Sequence, residues 1–230
     1  MRNPVHLLAL ALALALTAAA SDARAAEDYS PAERAIFMTN QLAGLSPPMT
    51  LRYSYKRSGS MEEAFDDQVA VPLRAKSNGA CCIASAEFLS GPRRLSLPEV
   101  ESGDGNPAIL YFLERDIREM SRLTKGQAAY FRKRIRMAVY QGAQIDELSL
   151  PYRGKPVATR RITIAPYMDD PLRVRFEMLA NKRYTFILSD AVPGGVYSMR
   201  SQIDAAPASA APLIVEEMVL EGAAAEPKKP

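Results

Sequence analysis

Few residues of this chain have the types and spacing that catalysis or metal binding requires. The candidates are two adjacent cysteines, Cys81 and Cys82, and two acidic pairs, Asp66-Asp67 and Asp169-Asp170. Cysteines offer a nucleophile, a redox pair or metal ligands, and paired carboxylates offer acid–base catalysis or calcium binding. Each of these functions needs further partners, and the rest of the sequence decides whether such partners exist.

The most restrictive feature is histidine, which occurs once, at His6. His6 lies in an N-terminal stretch that we expect to be removed, so the mature chain would contain no imidazole. This excludes Ser-His-Asp and Cys-His catalysis, HExxH zinc sites and haem ligation by histidine. We therefore predict a non-enzymatic protein with no catalytic residue, no metal and no cofactor. A hydrolase that uses carboxylates or a cysteine is the least favoured alternative.

Cys81 and Cys82 lie in a stretch that is typical of a strand, where neighbouring side chains point to opposite faces and cannot easily share a metal ion. Three interpretations stay open: small strand residues, one inward and one outward; a vicinal disulfide in an oxidising compartment; or a bond to the thiol of a partner. We favour the first. The acidic pairs match no calcium-loop spacing, and Asp170 before Pro171 favours a cap or turn residue.

Residues 1–25 have the features of a signal peptide. Arg2 supplies a positive charge, Leu7 to Ala20 is a short apolar region, and Ala23-Arg24-Ala25 is an A-x-A cleavage site. There is no cysteine at the cleavage point, so we expect an exported, periplasmic protein without a lipid anchor. The predicted organisation is a signal peptide at 1–25, one domain at 26–222 and a disordered tail at 223–230.

The charge balance argues against nucleic acid as a partner. Loss of Arg2, Arg24 and Asp22 with the signal peptide would leave 27 basic and 25 acidic residues. Such a balanced chain has no long-range attraction for polyanions, and no pattern of interleaved basic and aromatic residues appears. No later apolar run is long enough to span a membrane.

The element that positions the candidate binding residues is a helical insertion at 106–140. Asn106 is a favoured N-cap and Pro107 suits the first helical turn, while Lys125-Gly126 forms a C-terminal signal. Helical spacing places these residues on the apolar face: Ile109, Leu110, Leu113, Ile117, Met120 and Thr124. The same spacing places five charged residues on the opposite, solvent-facing side of the helix: Glu114, Arg115, Arg118, Glu119 and Arg122.

A second helix is predicted from Gln127 to Tyr140. Its core face contains Phe131, Ile135, Ala138 and Val139. A mixed stripe beside that face contains Tyr130, Arg134 and Met137. We interpret Tyr130 and Met137, together with Leu113, Ile117 and Met120 of the first helix, as candidate contacts for an apolar ligand; ordinary half-burial is the competing interpretation for the first two.

The densest basic run of the chain, Arg132-Lys133-Arg134 with Arg136, lies on this second helix. It is a candidate surface for anionic lipid headgroups, cell-envelope polymers or an acidic protein. A solvated helix face is the simpler explanation. The expected partners of the whole protein are accordingly a lipid or an envelope protein.

Strand patterns flank the insertion on both sides. A helix is predicted at Pro31–Ala43, with Ala32, Ala35, Ile36 and Leu42 inward. Alternating residues then predict a run of strands: 49–57, 64–73, 80–89, 94–97, 144–150, 157–165, 183–189, 196–203 and 213–221. The segment with Leu172, Val174, Phe176 and Met178 fits either a strand or a short helix. The fold class is α+β: a curved, mostly antiparallel half-barrel-like sheet with an N-terminal helix and a two-helix insertion packed on it.

This order of elements resembles the bacterial lipoprotein-carrier superfamily. The helix Pro31–Ala43, the hairpin Leu51–Leu73, the insertion Asn106–Tyr140 and the later meander occur in the order found there. That resemblance implies a half-barrel whose concave, apolar side is covered by a helical lid. The segments GNPAILYFLERD and LSDAVPGG are also similar to stretches of uncharacterised exported proteobacterial proteins.

Our leading hypothesis is a periplasmic, non-enzymatic protein that binds an apolar or amphipathic ligand, such as a lipid, in the concavity of the sheet. The alternative is a structural or interaction module of the cell envelope that uses the basic face formed by Arg132, Lys133, Arg134 and Arg136.

Overall fold

The computed structural model describes residues 29–101, 105–205 and 211–225. A ten-stranded antiparallel sheet dominates the part that begins at Pro31. Its strands are β1 Met49–Ser58, β2 Phe65–Ala75, β3 Cys81–Ala84, β4 Glu87–Phe88, β5 Val100–Glu101, β6 Gln144–Tyr152, β7 Lys155–Ile164, β8 Arg183–Leu188, β9 Val196–Ile203 and β10 Ile214–Leu220. The spatial order is β5-β3-β2-β1-β10-β9-β8-β7-β6, with β4 also beside β2. The sheet is curved and unclosed, so the α+β fold class is confirmed.

The two ends of this sheet differ in length. One end is the two-residue strand β5, and the other is the nine-residue strand β6. Among the described residues, β6 forms a ladder with β7 alone, and its second side has only one isolated bridge, between Tyr152 and Ala223. The predicted hairpin of β6 and β7 is confirmed, and it turns at Arg153-Gly154.

The hairpin of β1 and β2 follows the alternation in the sequence. Leu51, Tyr53 and Tyr55 are buried, as the pattern predicts. Arg57 continues the same inward series and is buried as well. On its other side β1 pairs with β10, in a register that places Arg57 opposite Glu216.

The first helical segment is shorter than predicted. The helix α1, Pro31–Glu33, continues as a π-helical stretch, Arg34–Met38. Thr39 ends it, because its backbone is extended and its N–H donates to the Arg34 carbonyl at 2.9 Å. The predicted helix to Ala43 was therefore too long. Its four predicted core residues are nonetheless buried: Ala32, Ala35, Ile36 and Leu42.

The helical insertion forms as predicted, with α2 at Pro107–Thr124 and α3 at Ala128–Gly142. The Asn106 side chain caps α2 by accepting a hydrogen bond from the Ala108 N–H at 2.9 Å. At the other end Lys125, rather than Gly126, adopts the left-handed conformation. Gly126 is needed for space, because a Cβ there would lie 2.8 Å from the Phe131 ring.

Both helices of the insertion lie against the sheet. The helix α2 packs on β9, α3 packs on β7, and the two helices contact each other. The interior between the helices and the sheet is filled by large side chains, including Phe112, Phe131, Tyr184, Phe186 and Tyr197. The helices therefore cover one side of the sheet. None of the helices in the described ranges combines the length and the apolar character that crossing a membrane requires.

The strand predicted at 80–89 is interrupted. Its two pieces, β3 and β4, pair with β2 on either side of Pro72. Pro72 has no N–H to donate, and the Ser85 N–H bonds to its carbonyl at 3.2 Å, so the ladder breaks at this point. The proline in β2 thus explains why one predicted strand became two.

Three further segments differ from expectation or settle an ambiguity. The strand predicted at 94–97 is replaced by a 3₁₀ turn at Gly91–Arg93 and a single bridge between Phe88 and Leu95. The short strand β5 was not predicted. The ambiguous stretch around Leu172 is helical, with 3₁₀ turns at Arg173–Arg175 and Glu177–Asn181.

Candidate ligand-binding cleft

An open cleft of about 320 Å³ lies where α2 meets the end of the β1–β2 hairpin and the loop after β4. We call it the arginine cleft. Its walls combine five arginines and one glutamate with three apolar side chains. The lining residues are Arg57, Phe65, Leu89, Arg93, Leu95, Arg115, Arg118, Glu119 and Arg122. Its volume is at the lower end of the range for small-molecule sites.

The helix α2 supplies one wall through residues at helical spacing. Arg115, Arg118, Glu119 and Arg122 form a polar stripe, which the sequence placed on the solvent side. For Arg115 this was wrong: the residue is buried. The reason is the inward carboxylate of Glu216 on β10, whose Oε1 atom lies 2.5 Å from Arg115 Nη1.

The floor of the arginine cleft is a buried ion-pair network. Glu216 is 1% exposed and Arg57 is 7% exposed. Arg57 pairs with Glu62, and its Nη2 atom lies 3.2 Å from Glu119 Oε1. Its Nε atom is buried without a hydrogen-bond acceptor in the described structure, since Glu216 Oε1 is 3.6 Å away. A buried N–H group of a cation is thus left with unused hydrogen-bonding capacity.

The charged groups on the surface of the cleft are mostly cationic. Five arginines line it, against the single carboxylate of Glu119. The other carboxylates that pair with these arginines are not lining residues: Glu62, Asp67, Glu114 and Glu216. Counted with them the charges balance, so the cleft offers an anionic group guanidinium hydrogen-bond donors rather than a net positive charge.

One aromatic ring, that of Phe65, lines the cleft beside Leu89 and Leu95. Phe65 stacks on Tyr55 with ring centroids 6.0 Å apart, and the Arg93 guanidinium lies 4.5 Å from the Phe65 centroid. Burial, together with the charge of Glu216, raises the pKa of Tyr55 well above its ordinary value, so this phenol stays neutral. The cleft therefore offers guanidinium groups beside a neutral aromatic surface.

The acid stability of the network should depend on Glu119. Burial opposes its ionisation, but hydrogen bonds from Arg122 and the charges of Arg122, Arg57 and Arg115 outweigh burial and lower its pKa from 4.5 to about 2. A lowered folded-state pKa stabilises the protein above pH 4.5, and this contribution is lost as the pH falls towards about 2. We expect Glu119→Gln to flatten the dependence of the unfolding free energy on pH in this window, measured by denaturant titration. Glu87→Gln, at an exposed position on β4, should keep the wild-type slope; an unchanged slope in Glu119→Gln would contradict the assignment.

The residues predicted to contact an apolar ligand do not line this cleft. Leu113, Ile117 and Met120 are buried, where they form part of the core beneath α2. Tyr130 and Met137 are half-buried on α3. The Tyr130 hydroxyl donates to Asp170 Oδ1 at 2.6 Å. A ligand contact by these five residues stays a prediction.

The predicted basic run is divided by its salt bridges. Arg132 Nη2 lies 2.8 Å from Glu114 Oε2, and Arg134 Nε lies 2.8 Å from Asp170 Oδ2. Lys133 and Arg136 are exposed and have no ion pair among the described residues. Two of the four cations thus have carboxylate partners, and the role of all four in partner binding stays a prediction.

The cysteines and acidic pairs lie on separate elements. Cys81 and Cys82 are joined in a vicinal disulfide at the start of β3, with Cys82 buried and Cys81 partly buried. Asp66 is exposed beside Lys56, and Asp169 is exposed in the loop after β7. In the described ranges no three side chains of histidine, cysteine, aspartate or glutamate lie close enough to hold a metal ion.

The two remaining aspartates of these pairs have structural partners. Burial opposes ionisation of Asp67, but hydrogen bonds from the Gln68 and Ser90 backbones and from Arg93 lower its pKa. Asp170 is buried, and its Oδ1 atom accepts from the Leu172 N–H at 2.7 Å, in agreement with a cap or turn role.

A second open cleft, of about 370 Å³, lies at the opposite end of the β1–β2 hairpin. Its only ion pair among the lining residues, Arg74 with Glu99 at 2.9 Å, is exposed. The larger volume therefore comes without a buried charged group or an aromatic wall. The arginine cleft is chemically the better candidate, although it is the smaller of the two.

Sequence reasoning missed Arg57 and Glu216, although the pattern contained a signal. Arg57 follows Leu51, Tyr53 and Tyr55 at two-residue spacing, so it occupies an inward position. Glu216 stands between Ile214 and Met218 in the same way. A charge at an inward strand position indicates a buried partner.

Comparisons with known proteins provide little beyond the geometry. No protein-family model and no curated protein matches the sequence. Among solved structures, the crystal structure of Mycobacterium tuberculosis lipoprotein LppX is similar, with a TM-score of 0.30 and 12% identity over 83% of this chain and 92% of that one. The match is in line with a weak topological resemblance. Because the TM-score is this low, we infer neither the detailed fold nor the function of this chain from LppX.

Proposed function

We propose that the mature chain is an exported, periplasmic, non-enzymatic protein that binds an anionic amphiphile in the arginine cleft. The class of ligand is a carboxylate or phosphate head on an apolar chain, as in fatty acids and phospholipids. The observation that supports this is the juxtaposition of five guanidinium groups and the apolar side chains of Phe65, Leu89 and Leu95 in one cleft.

The two halves of the cleft suit the two halves of such a ligand. Guanidinium groups bind carboxylates and phosphates through paired hydrogen bonds. Arg93 and Arg118 are partly exposed at the rim, where a headgroup from solvent reaches them first. The apolar wall then offers burial to the chain, which contributes about 0.8 kcal/mol per methylene.

The proposed location rests on the sequence. Residues 1–25, with the A-x-A site before Ala26, support export. These residues lie outside those that the structure describes. An amphiphile-binding protein in the periplasm would operate between two membranes, which are sources of such ligands.

A pair of ligands with one chain and different heads tests the proposal. We expect the mature chain to bind cis-parinaric acid more tightly than its methyl ester, because only the acid carries the charge. Arg93→Gln/Arg118→Gln should weaken binding of the acid by roughly tenfold. The affinity for the ester should stay unchanged, because the ester has no charge for these guanidinium groups to pair with. Fluorescence titration measures both affinities.

Arg160→Gln/Arg161→Gln is the matched control, because these two arginines form carboxylate pairs on β7, away from the cleft. It should bind like the wild type. Mass spectrometry of an organic extract from protein purified out of its native host should identify an acidic amphiphile. Equal affinities for acid and ester, together with a lipid-free extract, would refute the proposal.

A cell-envelope interaction module is the second candidate, favoured by the exposed cations Lys133 and Arg136. A pull-down with the wild type should then recover one defined envelope partner in a salt-sensitive way, and Lys133→Gln/Arg136→Gln should fail to recover it. This result, together with the absence of a bound amphiphile, would support the interaction module.

A further inference from the structure

Exposed large apolar side chains are concentrated in the loop between β7 and β8. Nine such side chains occur among the described residues, and four of them lie within residues 168–178. They are Met168, Leu172, Val174 and Met178. Val174 is 85% exposed, the highest value of the nine. We call residues 168–178 the apolar loop.

The fold holds this loop in place from beneath. Phe176 is buried, and its ring centroid lies 5.7 Å from that of Phe131 and 5.9 Å from that of Tyr167. Asp170 accepts hydrogen bonds from the Leu172 N–H and the Tyr130 hydroxyl, and it pairs with Arg134. The backbone is thus anchored on α3 while the intervening side chains face solvent.

Cations alternate with the apolar side chains at the tip. Arg173 and Arg175 flank Val174, and both are exposed. Residues 171–175 contain no acidic residue. Lys133 is exposed on α3, next to the Arg134 that holds the loop. Asp169 and Glu177 are exposed at the two ends of the loop, outside this tip.

We propose that the apolar loop docks the protein on a phospholipid bilayer with anionic headgroups. Leu172, Val174 and Met178 insert at the level of the headgroups, and Arg173 and Arg175 contact lipid phosphates. Interfacial binding of this kind combines apolar insertion with attraction to anionic lipid.

The chemistry favours a bilayer over a protein partner. A stable protein interface needs a contiguous, complementary surface of roughly 800 Å² on each partner. Here single apolar side chains project between arginines on one short loop. Such a pattern suits a fluid interface, in which each side chain finds apolar surroundings and each cation finds a phosphate. One small element of this size predicts weak and reversible attachment.

Vesicle co-sedimentation of the full mature chain tests the proposal. We expect wild-type protein to sediment with vesicles of phosphatidylglycerol and phosphatidylcholine, and much less with phosphatidylcholine alone. Arg173→Gln/Arg175→Gln should lower the partition coefficient by roughly 30-fold and reduce its dependence on salt. Leu172→Ser/Val174→Ser/Met178→Ser should lower it at least as much at every salt concentration.

Matched controls separate docking from general effects of charge, apolar surface or folding. Arg52→Gln/Arg94→Gln removes two exposed arginines elsewhere, and Ile145→Ser removes an exposed apolar side chain from β6. Both should sediment like the wild type, as should the cleft variant Arg93→Gln/Arg118→Gln. Thermal unfolding verifies that each variant is folded.

Two results would overturn the proposal. The first is that wild-type protein stays in the supernatant when anionic vesicles are sedimented. If the loop variants also fail to bind a protein that the wild type binds, the apolar loop is a protein-binding site instead. The other is sedimentation of both loop variants at the wild-type level. Neither result affects the proposed amphiphile cleft, because its ligands are titrated in the absence of vesicles.

Discussion

Replacing Asp116 with alanine should lower the free energy of unfolding by about 3–5 kcal/mol, because it leaves a buried lysine without its counter-charge. Asp116 is 1% exposed and Lys182 is 2% exposed. Lys182 Nζ donates to Asp116 Oδ1, and the Tyr184 hydroxyl donates to Oδ2 at 2.5 Å. The Ser201 hydroxyl completes the set at 3.2 Å. Denaturant titration measures the loss.

An exposed pair of the same two residue types provides the control. Lys56 and Asp66 lie 3.7 Å apart, with side chains 64% and 76% exposed. Asp66→Ala should therefore cost at most about 0.5 kcal/mol. Adding Lys182→Met to Asp116→Ala should recover part of the lost stability, since it removes the unpaired charge. Equal effects of Asp116→Ala and Asp66→Ala would contradict the account.

Replacing Glu216 with glutamine should have opposite effects on stability and on ligand binding. The change keeps the side-chain volume but leaves Arg57 and Arg115 with too few buried carboxylates. We expect the free energy of unfolding to fall by about 3 kcal/mol. The added net positive charge should at the same time tighten binding of cis-parinaric acid and leave its methyl ester unaffected.

Glu147→Gln is the control for this change, because Glu147 pairs with Arg160 on the exposed surface. It should change the stability by less than about 0.5 kcal/mol and should not affect either ligand. A Glu216→Gln protein that loses stability without any gain in affinity for the acid would show that the network only supports the fold.

The long elements could be predicted because each has a regular apolar pattern. The alternation of Leu51, Tyr53 and Tyr55 predicted β1, and Asn106-Pro107 predicted the start of α2. Both predictions are confirmed. The breaks were not predictable from periodicity, because they depend on a partner strand: β3 and β4 separate where Pro72 of β2 lacks a donor.

The candidate site could be predicted only in part, for the same reason. Helical spacing grouped Arg115 with Arg118 and Arg122, but it gave Arg115 the wrong environment. That environment depends on Glu216, which approaches only once β10 pairs with β1. The apolar loop was ambiguous because its side chains fit two periodicities. Its exposure follows from the anchors Asp170 and Phe176, whose partners lie on α3.

The unequal ends of the sheet have a consequence for self-association. A free strand edge is a template for pairing with another chain, and proteins protect such edges by short length, charge or proline. The two-residue β5 is protected by its length. The nine-residue β6 is not, but it contains the acidic neighbours Asp146 and Glu147 and the proline Pro151. These two carboxylates pair with Arg161 and Arg160 of β7, so the edge carries charged pairs rather than a bare negative charge. The charged side chains would lose water on contact with a second copy of β6, and Pro151 has no N–H to donate. We therefore expect this long edge to resist pairing with another chain.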